Sequence, residues 1–251
     1  MRLSLAPSPR LLRRLFGGLL VLVFPLLVVA CGGGDLYSVK RGQVAQRFLP
    51  PERTVHHPDS LRALTITEED GKLQYQLDRG YQSLIENWSA SPRNVGVGSG
   101  AFQSRTYATL QSLELALVSL QAEMGILGLQ KEKARKIIDK RRKKYFDRIR
   151  IDVYWFTGRR MDGVISGPGA RTEIEVGDRT LQPIRTDHGP LREAYLTGGD
   201  VALYRRNTLV FPRVVNETDV LKNSTRIRLT VRPTGSTAKV AFSWKWGEQD
   251  Q

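Results

Sequence analysis

From residue 149 onward apolar and polar positions alternate. Ile149, Ile151, Val153 and Trp155 occupy every second place, as do Ile227, Leu229 and Val231 against Arg226, Arg228, Thr230 and Arg232. Val240, Phe242, Trp244 and Trp246 repeat the pattern near the end, and read as core, with an aromatic carbohydrate platform as the alternative. A period of two is that of a strand with one buried face. Shorter candidates lie at 171–176, 180–184, 192–196, 201–204 and 208–214, divided by Gly, Pro, Asn and Asp clusters. Short strands punctuated this way predict an antiparallel β-sandwich over 149–251, with Thr234-Gly235-Ser236 turning the last hairpin.

Upstream the period lengthens. Leu110, Leu113, Leu117, Leu120, Met124 and Leu127 are spaced three and four apart, a heptad seam that continues at Ala134, Ile138 and Tyr145. Unbroken from about 104 to 147, such a helix spans about 65 Å at 1.5 Å per residue; Gly125 and Gly128 are the places for a break. Leu73, Leu77, Tyr81, Leu84, Ile85 and Trp88 also share a helical face. Leu64/Ile66 and Leu73/Tyr75/Leu77 around Asp70-Gly71 give a competing hairpin signal, and the helix is the reading taken. Residues 89–100, with Pro92 and a Gly96-Val97-Gly98-Ser99-Gly100 run, read as a loop; no Lys-Ser/Thr follows, so it is not a phosphate-binding Walker loop. The fold class predicted is α+β: a helical region at 61–148, as a hairpin or one long amphipathic helix, followed by the β-sandwich.

The first thirty residues follow a different rule. Arg2, Arg10, Arg13 and Arg14 precede an apolar run from Phe16 to Ala30, closed by Val28-Val29-Ala30-Cys31 and then Gly32-Gly33-Gly34. The run is shorter than the ~20 residues that span a bilayer as a helix. Val-Val-Ala-Cys resembles the lipobox of bacterial lipoproteins, with Val28 where Leu is commoner. The resemblance implies a signal peptide at 1–30, acylation (palmitate among the chains) of Cys31, export, and attachment to the membrane of the cell envelope. Gly32, rather than Asp, after the cysteine implies the outer membrane in a Gram-negative host. Residues 31–60, rich in Gly and Pro and sparse in apolar residues, then read as the lipidated cysteine and a flexible tether.

Charge sharpens the picture. The formal net charge is +14 with a pI of about 10.2. Residues 131–150 alone hold eleven Lys/Arg against Glu132, Asp139 and Asp147, a net +8. Lys136, Lys140, Arg141, Arg142, Lys143, Lys144 and Arg148 are the candidate contacts to an anionic surface, whether lipid headgroup or cell-wall polymer. The bland alternative is a solvated face whose cations suit a helix C-terminus. Nucleic acid fits poorly, since no aromatic residues interleave with the basic ones.

Catalytic chemistry finds little footing. Cys31 is the sole cysteine, and the histidines are three: His56 and His57, adjacent in the expected tether, and His188 in an Asp187-His188-Gly189-Pro190 turn. None has the spacing of a metal site, no Gly-x-Ser-x-Gly elbow is present, and no cofactor motif is found. The sequence therefore predicts a non-catalytic envelope protein. It would act as a scaffold or accessory subunit, pairing with a protein partner or itself through the heptad seam. The alternative is a binding module that works through the basic helix.

Overall fold

From Tyr37 onward, the segment expected to be a tether is built into the fold. The computed structural model describes residues 36–95, 105–157, 165, 170–232 and 239–247, and from Tyr37 onward the chain forms one compact unit. Helix α1 (Arg41–Gln46) buries Val44, and strand β1 (Glu52–Thr54) pairs in parallel with the last strand of the chain. His57 is buried edge-on against Trp246, and His56 packs edge-on against Trp88 with Nε2 3.1 Å from Glu114 Oε2. Few apolar residues occur between 37 and 60, but Val44 and Leu49 are buried and Tyr37, Val39 and Val55 pack against the core, which compositional sparseness does not reveal.

Gly42 shows how closely α1 docks. A Cβ at this position would lie 2.2 Å from the Tyr195 carbonyl oxygen. Gln46 adds a two-way clip to Thr197, accepting from its N–H at 2.6 Å and donating to its carbonyl at 3.5 Å. Gly42→Ala should therefore force α1 off the sheet and cost about 1–3 kcal/mol, the range of overpacking. Differential scanning calorimetry checks this; an unchanged Tm would mean that α1 is not held there.

Residues 64–77 are a hairpin, not a helix: β2 (Leu64–Glu69) pairs with β3 (Lys72–Leu77) through Asp70-Gly71, both at positive φ. An Asp-Gly pair supplies the left-handed geometry a two-residue hairpin turn demands. The helical spacing of Leu73, Leu77 and Tyr81 arose by chance across a strand and the short helix α2 (Tyr81–Asn87). The expected loop after it contains β4 (Ser89–Ala90) and β5 (Arg93–Val95); its glycine run, 96–100, lies outside the described residues.

The seam does not run as one helix. Leu110 belongs to β6 (Tyr107–Leu110); Leu113, Leu117 and Leu120 belong to α3 (Leu113–Met124), whose first turn is capped by Ser112 accepting from Leu115 N–H. Gly125, at φ +60°, ends α3 in the left-handed conformation that only glycine adopts freely. A 3₁₀ turn (Ile126–Gly128) carries Leu127, and α4 (Lys131–Asp147) follows, packed against α3. No coiled coil results. Leu113, Leu117 and Leu120 are buried in the chain's own core with Ala134, Ile138 and Tyr145, leaving Met124 as the exposed seam residue.

The remaining strands are β7 (Arg148–Thr157), β8 (Arg171–Val176), β9 (Arg179–Leu181), β10 (Arg185–Tyr195), β11 (Val201–Pro212), β12 (Val214–Val215), β13 (Thr218–Asp219), β14 (Arg226–Arg232) and β15 (Lys239–Lys245). Two larger sheets form, of strand order β10-β11-β7-β6-β4 and β1-β15-β14-β8-β9, the latter with β5 also on β15. Their pairings are antiparallel except β1 on β15. The Asp187–Pro190 segment, expected to turn, stays within β10 as a register shift between His188 and Leu191. Because β10 is an edge strand, Pro190 removes no hydrogen bond from the sheet interior.

The fold is thus α+β with largely antiparallel sheets, but its helices interleave with strands from both sheets rather than preceding them as a separate region. One apolar cluster takes Ile149, Ile151 and Val153 of β7, Leu229 and Val231 of β14, Phe242 and Trp244 of β15, and the inner faces of α3 and α4. Trp244 donates from Nε1 to the Trp88 carbonyl at 2.9 Å, and Trp246 is buried as well, so these indoles are core and no carbohydrate platform.

Candidate functional site

Strand alternation that buries Ile149, Ile151 and Val153 sends Arg150, Asp152, Tyr154 and Phe156 to the opposite face of the five-stranded sheet. The register aligns polar neighbours beside them. Arg185, Val210 and Arg150 form one rung; Asp187, Thr208, Asp152 and Thr109 the next; Arg206, Tyr154 and Tyr107 another. At one end this face is covered by α1, through Val44 against a second cluster with Tyr107, Tyr154, Phe156 and Tyr204. At the other it is bordered by α3 and the C-terminal half of α4.

Between these borders lies a groove of adjoining hollows. A small cavity of about 60 Å³ is walled by Arg141, Lys144, Arg148, Arg150 and Arg185. A trough of two overlapping lobes, about 300 and 330 Å³, adds Arg41, Arg192 and Arg206 around Tyr154 and Tyr204. Arg150 lines all three. The groove therefore brings eight cationic side chains together with three carboxylates, those of Glu123, Asp152 and Asp187.

The carboxylates fix the geometry more than they neutralise it. Asp152, almost fully buried, accepts from Arg206 Nη2 at 2.7 Å, Thr208 Oγ1 at 2.6 Å and both forks of Arg150 at 3.3 Å. Burial pushes its pKa up, but Arg150 and Arg206 outweigh this and hold it below the usual value. Arg141 donates to Ser119 Oγ at 3.1 Å and Glu123 Oε2 at 2.7 Å, tying α4 to α3. Arg185 pairs with Asp187 at 2.8 Å. The Arg41 guanidinium lies 4.5 Å from the centroid of the Tyr154 ring. Two buried guanidinium nitrogens in the trough, Arg41 Nη1 and Arg206 Nε, meet no acceptor in hydrogen-bonding geometry among the described residues.

Lys144 reports the field. Its pKa is held below the ordinary lysine value, by partial desolvation and then by Arg141, Arg148, Arg185 and Arg150 around it. Every one of these influences disfavours its charge, so an anion in the cavity would relieve all of the repulsive ones. Neither Lys144 nor Arg148 has a carboxylate partner within 4.0 Å among the described residues. For a base with a depressed pKa, the charged form is full at low pH and lost earlier than usual as pH rises. Anion binding should accordingly weaken on the alkaline side, and Lys144→Arg should carry binding to higher pH while changing neutral-pH affinity less than about twofold, since an arginine stays protonated there. Titrating affinity against pH for both forms checks this; superimposable profiles would remove Lys144 from the site.

Of the seven basic residues picked from the sequence, Arg141 and Lys144 of α4 and Arg148, where β7 begins, converge here. Lys136, Lys140 and Lys143 face solvent, and Arg142 is half-buried on another side with Nε buried. At the helix start Lys131 and Arg135 are engaged by Glu68 of the hairpin. Arg41, Arg150, Arg185, Arg192 and Arg206 were not singled out by sequence reasoning. The available signal was the Arg150/Asp152/Tyr154 alternation opposite a run of buried residues. His188, with Nδ1 2.5 Å from Asn207 Oδ1, lines the trough. Cys31 lies outside the described residues. Among the described residues no cluster of His, Cys, Asp and Glu is placed to hold a metal ion, and no helix is long and apolar enough to cross a membrane. No protein-family model, curated protein or solved structure matches the chain.

Proposed function

We propose that this is a lipid-anchored protein of the cell envelope, a non-catalytic accessory component that binds an anionic group of an envelope lipid or polymer in the groove. The lipobox-like sequence at Cys31 supports the anchor. The observation that carries the binding role is the excess of eight cations over three carboxylates on one sheet face, drawn from α1, α4, β7, β10 and β11. A solvated helix face would account for the charges of α4 alone, whereas these line adjoining hollows and come from five elements. The scaffold reading, the first expectation from the sequence, drew on an apolar seam whose Leu113, Leu117 and Leu120 are buried in the chain's own core. On the same reading, the two larger sheets, whose inner residues share one cluster, make up the sandwich that the strand spacing suggests.

The test uses the full chain carrying Cys31→Ser, so that no acyl chain holds it to lipid. Sedimentation with phosphatidylcholine vesicles, with and without phosphatidylglycerol, should show binding to the anionic vesicles alone. That binding should fall at least tenfold between low salt and physiological salt, where the screening length is about 8 Å. Equal partitioning to both vesicle types would remove the groove as the binding element.

A further inference from the structure

We infer that the rim of the small cavity docks on an anionic bilayer, with a lipid phosphate in the cavity and Phe146, Ile184 and Val214 in the outer acyl region beside it; this deepens the anion-binding reading, taking lipid over polymer, and rests on it. These three apolar side chains are exposed, at 41%, 60% and 49%. They come from separate parts of the chain: the end of α4, the residue before β10, and β12. All three adjoin the cavity wall. Phe146 follows Tyr145, which lines the cavity, and stands two places before Arg148. Ile184 precedes Arg185 and donates from its N–H to the Val210 carbonyl at 2.8 Å. Val214 comes two residues after Pro212, the rung partner of Arg148, and Arg213 between them donates from its N–H to the Asp147 carbonyl at 3.3 Å. Single exposed apolar side chains are ordinary on any surface; three on the rim of one cationic cavity form a pattern.

That combination has the chemistry of a membrane interface. Phosphates and acyl chains lie close together in a bilayer, so cations and apolar side chains on one rim are satisfied at once. A hydrated cell-wall polymer would answer the cations and leave Ile184 and Val214 in water. Lysine and arginine suit this depth, since their stems lie along apolar surface while their charged ends reach the phosphates. Lys144 and Arg185 are exposed, so a headgroup reaches them without rearrangement. Of the nearby carboxylates, Asp59 and Asp219 are paired with Arg213 and Asp187 with Arg185, and Asp147 is outnumbered by the five cations of the cavity. An acyl chain on Cys31 would act with this rim. Tyr37 is six residues further on, at most about 20 Å of extended chain, which keeps the folded unit close to the same bilayer.

Tryptophan fluorescence tests this, because the four native indoles, Trp88, Trp155, Trp244 and Trp246, are all buried. On the full chain carrying Cys31→Ser, Ile184→Trp should shift to the blue on phosphatidylglycerol-containing vesicles and be quenched by phosphatidylcholine brominated along its acyl chains. Phe48, 97% exposed just after α1 at the other end of the groove, gives the control: Phe48→Trp should do neither. Ile184→Ser with Val214→Ser should weaken sedimentation with those vesicles about tenfold, because two aliphatic side chains no longer leave water, and should leave affinity for soluble polyphosphate unchanged. Equal losses for vesicles and polyphosphate, or quenching of Phe48→Trp in place of Ile184→Trp, overturns the proposal. If the protein sediments with anionic vesicles while Ile184→Trp stays unquenched, the groove's anion binding stands and the docking falls, leaving the apolar rim to a protein partner. If it does not sediment with them even at low salt, both readings fall.

Discussion

Arg213→Met is expected to destabilise the fold by about 3 kcal/mol, the low end of the cost of breaking a buried ion pair from one side. Arg213 is 1% exposed. It donates to both oxygens of Asp59, at 2.8 and 2.6 Å, and to both oxygens of Asp219, at 2.7 to 3.1 Å. Its guanidinium carbon is 5.3 and 4.9 Å from the ring centroids of Tyr145 and Phe146. The Tyr145 hydroxyl in turn shares its one proton between two acceptors, the Pro58 carbonyl at 2.8 Å and Asp59 Oδ1 at 2.9 Å. One side chain thus joins the turn at 57–60, the end of α4, the end of β11 and the β12–β13 hairpin. Removing it leaves two carboxylates facing each other, and because each aspartate keeps about a quarter of its exposure, solvent limits the cost. The Tm should fall by roughly 6–12 °C for a unit of this size. Adding Asp59→Asn and Asp219→Asn to Arg213→Met should recover part of the loss, since the stranded charges go with their partner. Failure of that recovery would mean the packing of the arginine, not its charge, is what matters.

How far the sequence disclosed this molecule depends on whether a pattern was local. The strand at 171–176 and the alternating runs beginning at Ile149, Ile227 and Val240 were legible because period two over five or more residues has no competing explanation. The candidates at 201–204 and 208–214 are separate in the sequence pattern, yet Val201 to Pro212 form the single strand β11, with Val214 in β12; polar Arg205, Arg206 and Asn207 interrupt the hydrophobicity of β11 but not its hydrogen bonding. The hairpin at 64–77 was misread because Leu73 and Leu77 satisfy both periods at once, and only the Asp70-Gly71 turn separated them. The heptad seam named buried residues in Leu110, Leu113, Leu117 and Leu120 but not in the exposed Met124, and it named the wrong object, since positive φ at Gly125 ends the helix and returns the chain against itself.

The groove was half legible for the same reason. Its α4 wall is a local charge run. Its sheet wall is assembled by register, which sets Arg185 beside Val210 and Val210 beside Arg150 across three strands. No spacing in the sequence encodes that convergence, and Arg41 comes from a segment whose composition suggested no structure at all.

The second large effect concerns charge reversal, and it separates a built site from a diffuse positive surface. Lys144→Glu with Arg148→Glu places two carboxylates in the cavity wall. Each Lys or Arg near an anionic surface contributes about 1 kcal/mol, so the loss should be at least ~2 kcal/mol, roughly 30-fold in affinity. Lys136→Glu, Lys140→Glu and Lys143→Glu together reverse three charges on the solvent face of the same helix. If net charge alone governed binding, the triple variant would be the weaker. Both variants keep the buried Ala134, Ile138 and Tyr145 face of α4, so equal Tm values should accompany the comparison. The decisive measurement is vesicle sedimentation of the two variants, each carrying Cys31→Ser, at fixed salt and lipid composition. A loss of at least about 30-fold for the groove pair, with less than about threefold for the solvent-face triple, is the predicted result; a triple variant weakened as much as the pair or more would contradict the groove as the site of binding.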